Sequence, residues 1–207
     1  MLAVRADGAG VAVRTGRAEY HAARAVLCAG AWTPSLAASG WPQRLRVMRQ
    51  TLHWMRPQLP ADFAGDRFPA FIWSSGLTAA ESFYGLPMVD GLDGIKLGTQ
   101  QVETEVAPDQ MHRDVSAAET RSLYEQFLRG RLRGVTAERV HAIACPYTVA
   151  PDGRFMVAAH PTVPGALVAS ACSGHGFKHS AALGEALAEL SLQGRSQIDL
   201  GCFAPAP

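Results

Sequence analysis

Apolar positions along the chain fall into two kinds of run. Two are short and continuous, 25–29 (Ala-Val-Leu-Cys-Ala) and 166–171 (Ala-Leu-Val-Ala-Ser-Ala). Runs of this length suit strands covered on both faces. Elsewhere the pattern alternates. Across 47–56, Val47, Arg49, Thr51 and His53 share one face, and Met48, Gln50, Leu52 and Trp54 the other, the period-two signature of a strand. Further strands are predicted at 10–15, 19–21, 71–73, 82–85, 94–100, 140–149 and 154–158. Turns fall at Asp7-Gly8-Ala9-Gly10 and Pro151-Asp152-Gly153. With no helix after it, the first is a turn and not a phosphate loop.

Helical signals are fewer. Ser116-Ala117-Ala118-Glu119 is a capping box. Leu123, Phe127 and Leu128 then form one apolar side, and Gly130 is placed to close the helix. A second helix is predicted from Lys178 to Gln193, stopped by Gly194, with Ala181, Gly184 and Ala188 allowing close packing on a sheet. A short helix follows Thr33-Pro34 through Ser39, and the tail 204–207 is predicted to be disordered. Strands in series across 47–100 predict an antiparallel sheet, so the fold class is α+β.

Composition narrows the function classes. The 207 residues carry 19 basic and 18 acidic side chains, a net +1, and 48% are hydrophobic. No basic stripe interleaved with aromatics points to nucleic acid. No apolar run is long enough for a membrane helix, and 1–5 lacks the pattern of a signal peptide, so a cytoplasmic location is expected. The four cysteines, Cys28, Cys145, Cys172 and Cys202, show neither C-x-x-C nor zinc-ligand spacing; no disulfide framework and no metal site is expected.

The densest chemistry lies in Cys172-Ser173-Gly174-His175-Gly176-Phe177-Lys178-His179-Ser180, where a buried strand gives way to a helix. Backbone N–H groups at such a junction are free, and the helix dipole favours an anion. Gly174 and Gly176 would let a flat or anionic ligand approach the backbone. Lys178 would place a cation beside it, and a lysine buried there would need an anionic neighbour; its alternative is a lysine reaching into solvent. His175 either shapes the ligand-facing surface or bonds a backbone carbonyl.

This stretch, with Cys145-Pro146-Tyr147-Thr148 upstream, resembles the sarcosine oxidase and N-methyltryptophan oxidase group of FAD-dependent amine oxidases, within the D-amino-acid-oxidase-like family. The resemblance implies that Ser173, Gly174, His175, Gly176, Phe177 and Lys178 lie against the flavin ring. It makes Cys145 the covalent anchor for FAD, with Tyr147 beside it, and gives Lys178 the task of activating oxygen. Gly30-Ala31-Trp32 resembles the segment after the strand beneath the adenine nucleotide. Phe83-Tyr84-Gly85 resembles the strand whose tyrosine faces the substrate carboxylate. Gln100 stands where sarcosine oxidases carry a histidine, which puts sarcosine in doubt as the substrate.

The resemblance covers only the C-terminal half of that family. No Gly-x-Gly-x-x-Gly follows a strand in these 207 residues. The expected architecture is therefore a fragment of a Rossmann-like flavoprotein lacking its N-terminal dinucleotide-binding unit. Residues 1–45 would be part of the FAD-binding domain, 46–140 a substrate domain with an antiparallel sheet, and 141–207 the return to the FAD-binding domain. Implied partners are a small amino acid or amine, dioxygen, and either a second chain supplying the missing unit or self-association. The alternatives are a dehydrogenase of the same superfamily, or a non-catalytic subunit or remnant.

Overall fold

The computed structural model describes residues 3–36, 45–76, 78, 81–89, 91–100 and 104–204. The last part of the short helix expected through Ser39, and 205–207 of the tail, lie outside the described residues. The chain divides into two compact units, 1–47 with 147–207, and 48–146.

In the first unit, β1 (Ala3–Asp7), β2 (Gly10–Arg14) and β3 (Glu19–Ala22) form an antiparallel meander. The alternation pattern missed β1, which is exposed over half its length and so carries little apolar signal. β4 (Ala25–Leu27) then pairs in parallel with β11 (Ala166–Ser170). β10 (Met156–Ala159) pairs with the other side of β11 in antiparallel fashion. Leu27 of β4 and Ala166 and Val168 of β11 pack with Val11 and Val163, and Met156 and Val157 of β10 are buried too, so these three strands read as near-continuous apolar runs. Val157, Ala169 and Leu187 close another cluster, with Leu187 on α3 (Ser180–Gln193). Gly194 ends that helix in the left-handed region at φ +73°, as its sequence position predicts. The helix starts later than expected: Phe177–His179 form a 3-10 turn before it. After Gly30–Trp32, itself a 3-10 turn, comes α1 (Thr33–Leu36).

The second unit holds β6 (Phe71–Ser74), β7 (Ser82–Leu86), β8 (Ile95–Thr99), β5 (Arg46–Pro57) and β9 (Val135–Val149), side by side in that order. The pairings within β6–β7–β8–β5 are antiparallel. β9 begins five residues earlier than the predicted 140. Met55, Phe83, Ile95 and Leu97 bury one face of the sheet, with Leu123 from α2 (Ala117–Leu123) and Leu128 from the π-type turn Tyr124–Leu128 after it. Both halves of the capping box are present at Ser116 and Glu119.

A polar inclusion interrupts this core. His53 is 1% exposed and lies between the hydroxyls of Thr51 and Thr120, each 3.2 Å away. Burial, reinforced by Arg139 and Arg49 and opposed by Glu119, pushes its pKa down to about 4. Arg49 spans the loop before α2, donating to His112 O at 2.9 Å, Asp114 O at 2.7 Å and the Glu119 carboxylate at 2.5 Å. Desolvation pulls Glu119 upward, but the bonds from Arg49 and Ser116 outweigh it and hold the carboxyl at about 2.

Candidate functional site

In the first unit, the strand–turn–helix junction after β11 is fastened from behind. Ser173 sits at φ +40°, an unusual conformation for a residue with a side chain. Three bonds hold it: Ser173 N donates to Thr148 O at 2.8 Å, its hydroxyl donates to Arg154 O at 2.9 Å, and Ala150 N donates to that hydroxyl at 3.4 Å. The two glycines are demanded by the chain itself. A Cβ on Gly176 would lie 1.7 Å from Ala171 O, and one on Gly174 would lie 2.8 Å from the ring of Tyr147. The freedom expected to admit a ligand serves first to fold the turn, and it brings Tyr147 against Gly174.

His175 takes the backbone-bonding alternative. Its Nε2 lies 3.1 Å from Gly153 O and its ring stacks on buried Phe155, centroids 4.7 Å apart. Of the two alternatives for Lys178, the chain by itself shows the solvent-reaching one: Lys178 is exposed on the 3-10 turn, and the Phe177 ring beside it is 93% exposed. No side chain caps the α3 N-terminus; the 3-10 turn before it takes the Ser180 N–H on Phe177 O and the His179 N–H on Gly176 O.

In front of this turn lies a cleft of about 310 Å³ between the ends of β4 and β11 and the first turns of α3. Cys28, Gly30, Ala171, Cys172, Gly176 and Phe177 line its mouth. Gly30 and Gly176, far apart in sequence, thus meet at one cleft. Ala31 is buried and Trp32 is 42% exposed. Burial pushes the Cys28 thiol up, away from reactivity.

The second unit offers an open sheet face opposite its core. Strand register puts Ile72, Tyr84, Gly98 and Leu52 in one row, with Leu86, Lys96 and Trp54 in the next. Gly98 is glycine because Tyr84 needs the space: a Cβ there would meet the Tyr84 ring and hydroxyl at 2.8 Å. Lys96 is half-buried, its Nζ 5.6 Å from the Trp54 ring centroid. Trp54 also meets His141, centroids 5.1 Å apart. Lys96 stands in a stretch read only as a strand, and its place beside Tyr84 follows from strand register. Cys145 is half-buried on β9, with His141 on the same strand. Three strand spacings separate β7 from β9, roughly 14 Å, so Tyr84 and Cys145 share a sheet without sharing a neighbourhood. Among the described residues no cluster of three His, Cys, Asp or Glu could hold a metal ion, and no helix is long and apolar enough to cross a membrane.

A parallel strand that ends at a glycine-built turn and a helix, together with an antiparallel five-stranded sheet, makes an α+β fold of the kind found in FAD-dependent oxidases. The FAD dependent oxidoreductase (DAO) family matches residues 2–190, and the chain belongs to that family. It is 32% identical over 200 residues to a monomeric sarcosine oxidase of Streptomyces avermitilis, covering 95% of this chain and 51% of that one. It is 31% identical over 199 residues to an N-methyl-L-tryptophan oxidase of Salmonella arizonae, with 95% and 51% coverage. In fold it resembles NikD, an amino acid oxidase of nikkomycin biosynthesis, with a TM-score of 0.80 at 20% identity over 99% of this chain and 53% of that one. The chain thus spans about half the length of the relatives it matches.

Proposed function

We propose that this chain forms the ring-binding and substrate-facing part of an FAD-dependent amine or amino-acid oxidase. The observation that carries the reading is the apolar cleft at the Ser173–Lys178 turn. Its walls fit a flat, partly anionic ring: Gly30 and Gly176 add no side chains, Ala171 and Cys172 are small, and Phe177 offers an exposed ring at the rim. The α3 N-terminus and Lys178 supply positive charge. The pyrophosphate-binding strand–glycine–helix unit would come from another segment, since no Gly-x-Gly-x-x-Gly is present here.

FAD, when bound, supplies uptake of a hydride from the amine carbon and return of the electrons to dioxygen as hydrogen peroxide. The rest falls to the protein. Tyr84, held over Gly98, would orient a substrate carboxylate by its hydroxyl. A lysine would stabilise the negative charge that develops on dioxygen. Lys178 is the first candidate. Lys96 is the second, favoured by its partial desolvation over Trp54, which strengthens an ammonium's field. Cys145 would anchor the ring through a thioether. Gln100, exposed just beyond β8, favours a secondary or N-methyl amino acid other than sarcosine.

The test is the visible spectrum of the purified protein, repeated on the acid-precipitated pellet. Yellow colour in the wild-type pellet, lost to the supernatant in Cys145→Ala, supports the anchored oxidase. Colour that stays in the Cys145→Ala pellet removes Cys145 from the role. A protein that stays colourless with FAD and the complementary unit supplied would overturn the reading. With a complete site, peroxide formation separates the oxidase from a dehydrogenase.

A further inference from the structure

The family match ends at residue 190, yet the chain continues to a segment that touches the back of the candidate turn. After α3, Leu200 and Phe203 pack against the cluster of Val157, Ala169 and Leu187. Arg154 Nη1 donates to Cys202 O at 3.2 Å and so ties this segment to the 151–156 hairpin. The Phe203 ring meets that of Phe155 with centroids 5.2 Å apart. Phe155 is 3% exposed. It meets His175 at 4.7 Å in a stack and His179 at 5.4 Å edge-on.

The order of contacts is therefore Phe203, Phe155, then two histidines that bracket Phe177 and Lys178. The side chains of those two residues are not packed, since Phe177 is 93% exposed and Lys178 stands in solvent, and their backbone is tied locally by the Gly176 N–H on Cys172 O and the His179 N–H on Gly176 O. A side chain projecting from a 3-10 turn is only as well placed as the backbone beneath it. Here the backbone is held on one side by Ser173 and from below by the two histidine rings. We propose that the C-terminal segment 200–203 is a buttress, with Phe203 a positioning residue that fixes the Phe177–Lys178 projection through Phe155, His175 and His179. The purpose of that projection rests on the proposed flavin site; the buttress itself does not.

The test is amide hydrogen exchange of the full chain without added flavin, comparing wild type with Phe203→Ala and Phe203→Tyr. Aromatic contacts of this kind lead us to expect roughly three- to tenfold faster exchange at 173–179 in Phe203→Ala. Strands 82–99 should be unchanged, and Phe203→Tyr, which keeps the ring, should restore the slow rate. Phe203→Leu, keeping apolar volume without the ring, replaces alanine if that variant does not fold. Two results would overturn the proposal: unchanged exchange at 173–179 while 198–204 opens, or equal acceleration in every peptide. Because the measurement needs no flavin, it stands even if the flavin reading fails.

Discussion

Lys178 and Lys96 show how much a lysine's setting decides. Lys178 carries the motif but lies in water, where a neighbouring charge is screened. Lys96 carries no motif but sits half-buried over an indole, where its field is stronger. In a complete, flavin-loaded protein, replacing either with Met keeps apolar length and removes the charge. Replacing the lysine that activates oxygen should slow flavin reoxidation by at least a factor of about a hundred, as loss of a single electrostatic donor does elsewhere, while the reductive half-reaction changes far less. Stopped-flow reoxidation of both variants measures this. Unchanged rates in Lys178→Met and a large loss in Lys96→Met would move the role to the sheet. The glycines carry a similar lesson. Gly174 and Gly176, expected to open the backbone to a ligand, and Gly98 on β8 all stand where a side chain would collide. Each is placed by a neighbour in its own chain, namely Tyr147, Ala171 O and Tyr84.

At the scale of elements, the loop leading into α2 is clamped to β5 by Arg49 and Glu119, and His53 lies beneath it. His53 titrates near 4 in the folded chain and near 6.5 when unfolded. Between those values the unfolded state binds more protons, so stability rises with pH across the window and is lost as pH falls from about 6.5 to 4. The loss from this one group is up to about 3 kcal/mol. Urea titrations at stepped pH should show the decline, and His53→Gln should flatten it. A decline of equal size in that variant would assign the acid sensitivity elsewhere. Glu119 acts in the same direction only at lower pH, because its carboxyl stays charged down to about 2.

For the whole molecule, the proposal requires a dinucleotide-binding unit in addition to these residues. A relative's strand–glycine–helix unit, co-expressed with this chain, should raise retention of FAD well above that of either piece alone. Gel filtration with absorbance near 450 nm, roughly the flavin maximum, reads the outcome; no retention above the separate pieces would count against shared formation of the site. Self-association would instead appear as a larger species of this chain alone, expected where sheet edges and apolar surface are left open.

The elements themselves were legible because they depend on local physics. Alternation over β5, the apolar run of β11, the capping box at Ser116 and the stop at Gly194 are all decided within a few residues, by side-chain period and backbone conformation. The family signature around Cys172–Ser180 was legible for the same reason, being contiguous. What the sequence could not order is what crosses between elements. Strand register puts Lys96 beside Tyr84. The fold stacks the His175 ring on Phe155, while Lys178 stands in solvent. The fold also recruits Phe203 to the back of a turn distant from it in sequence. These are set by which surfaces meet, and that depends on the packing of the whole chain.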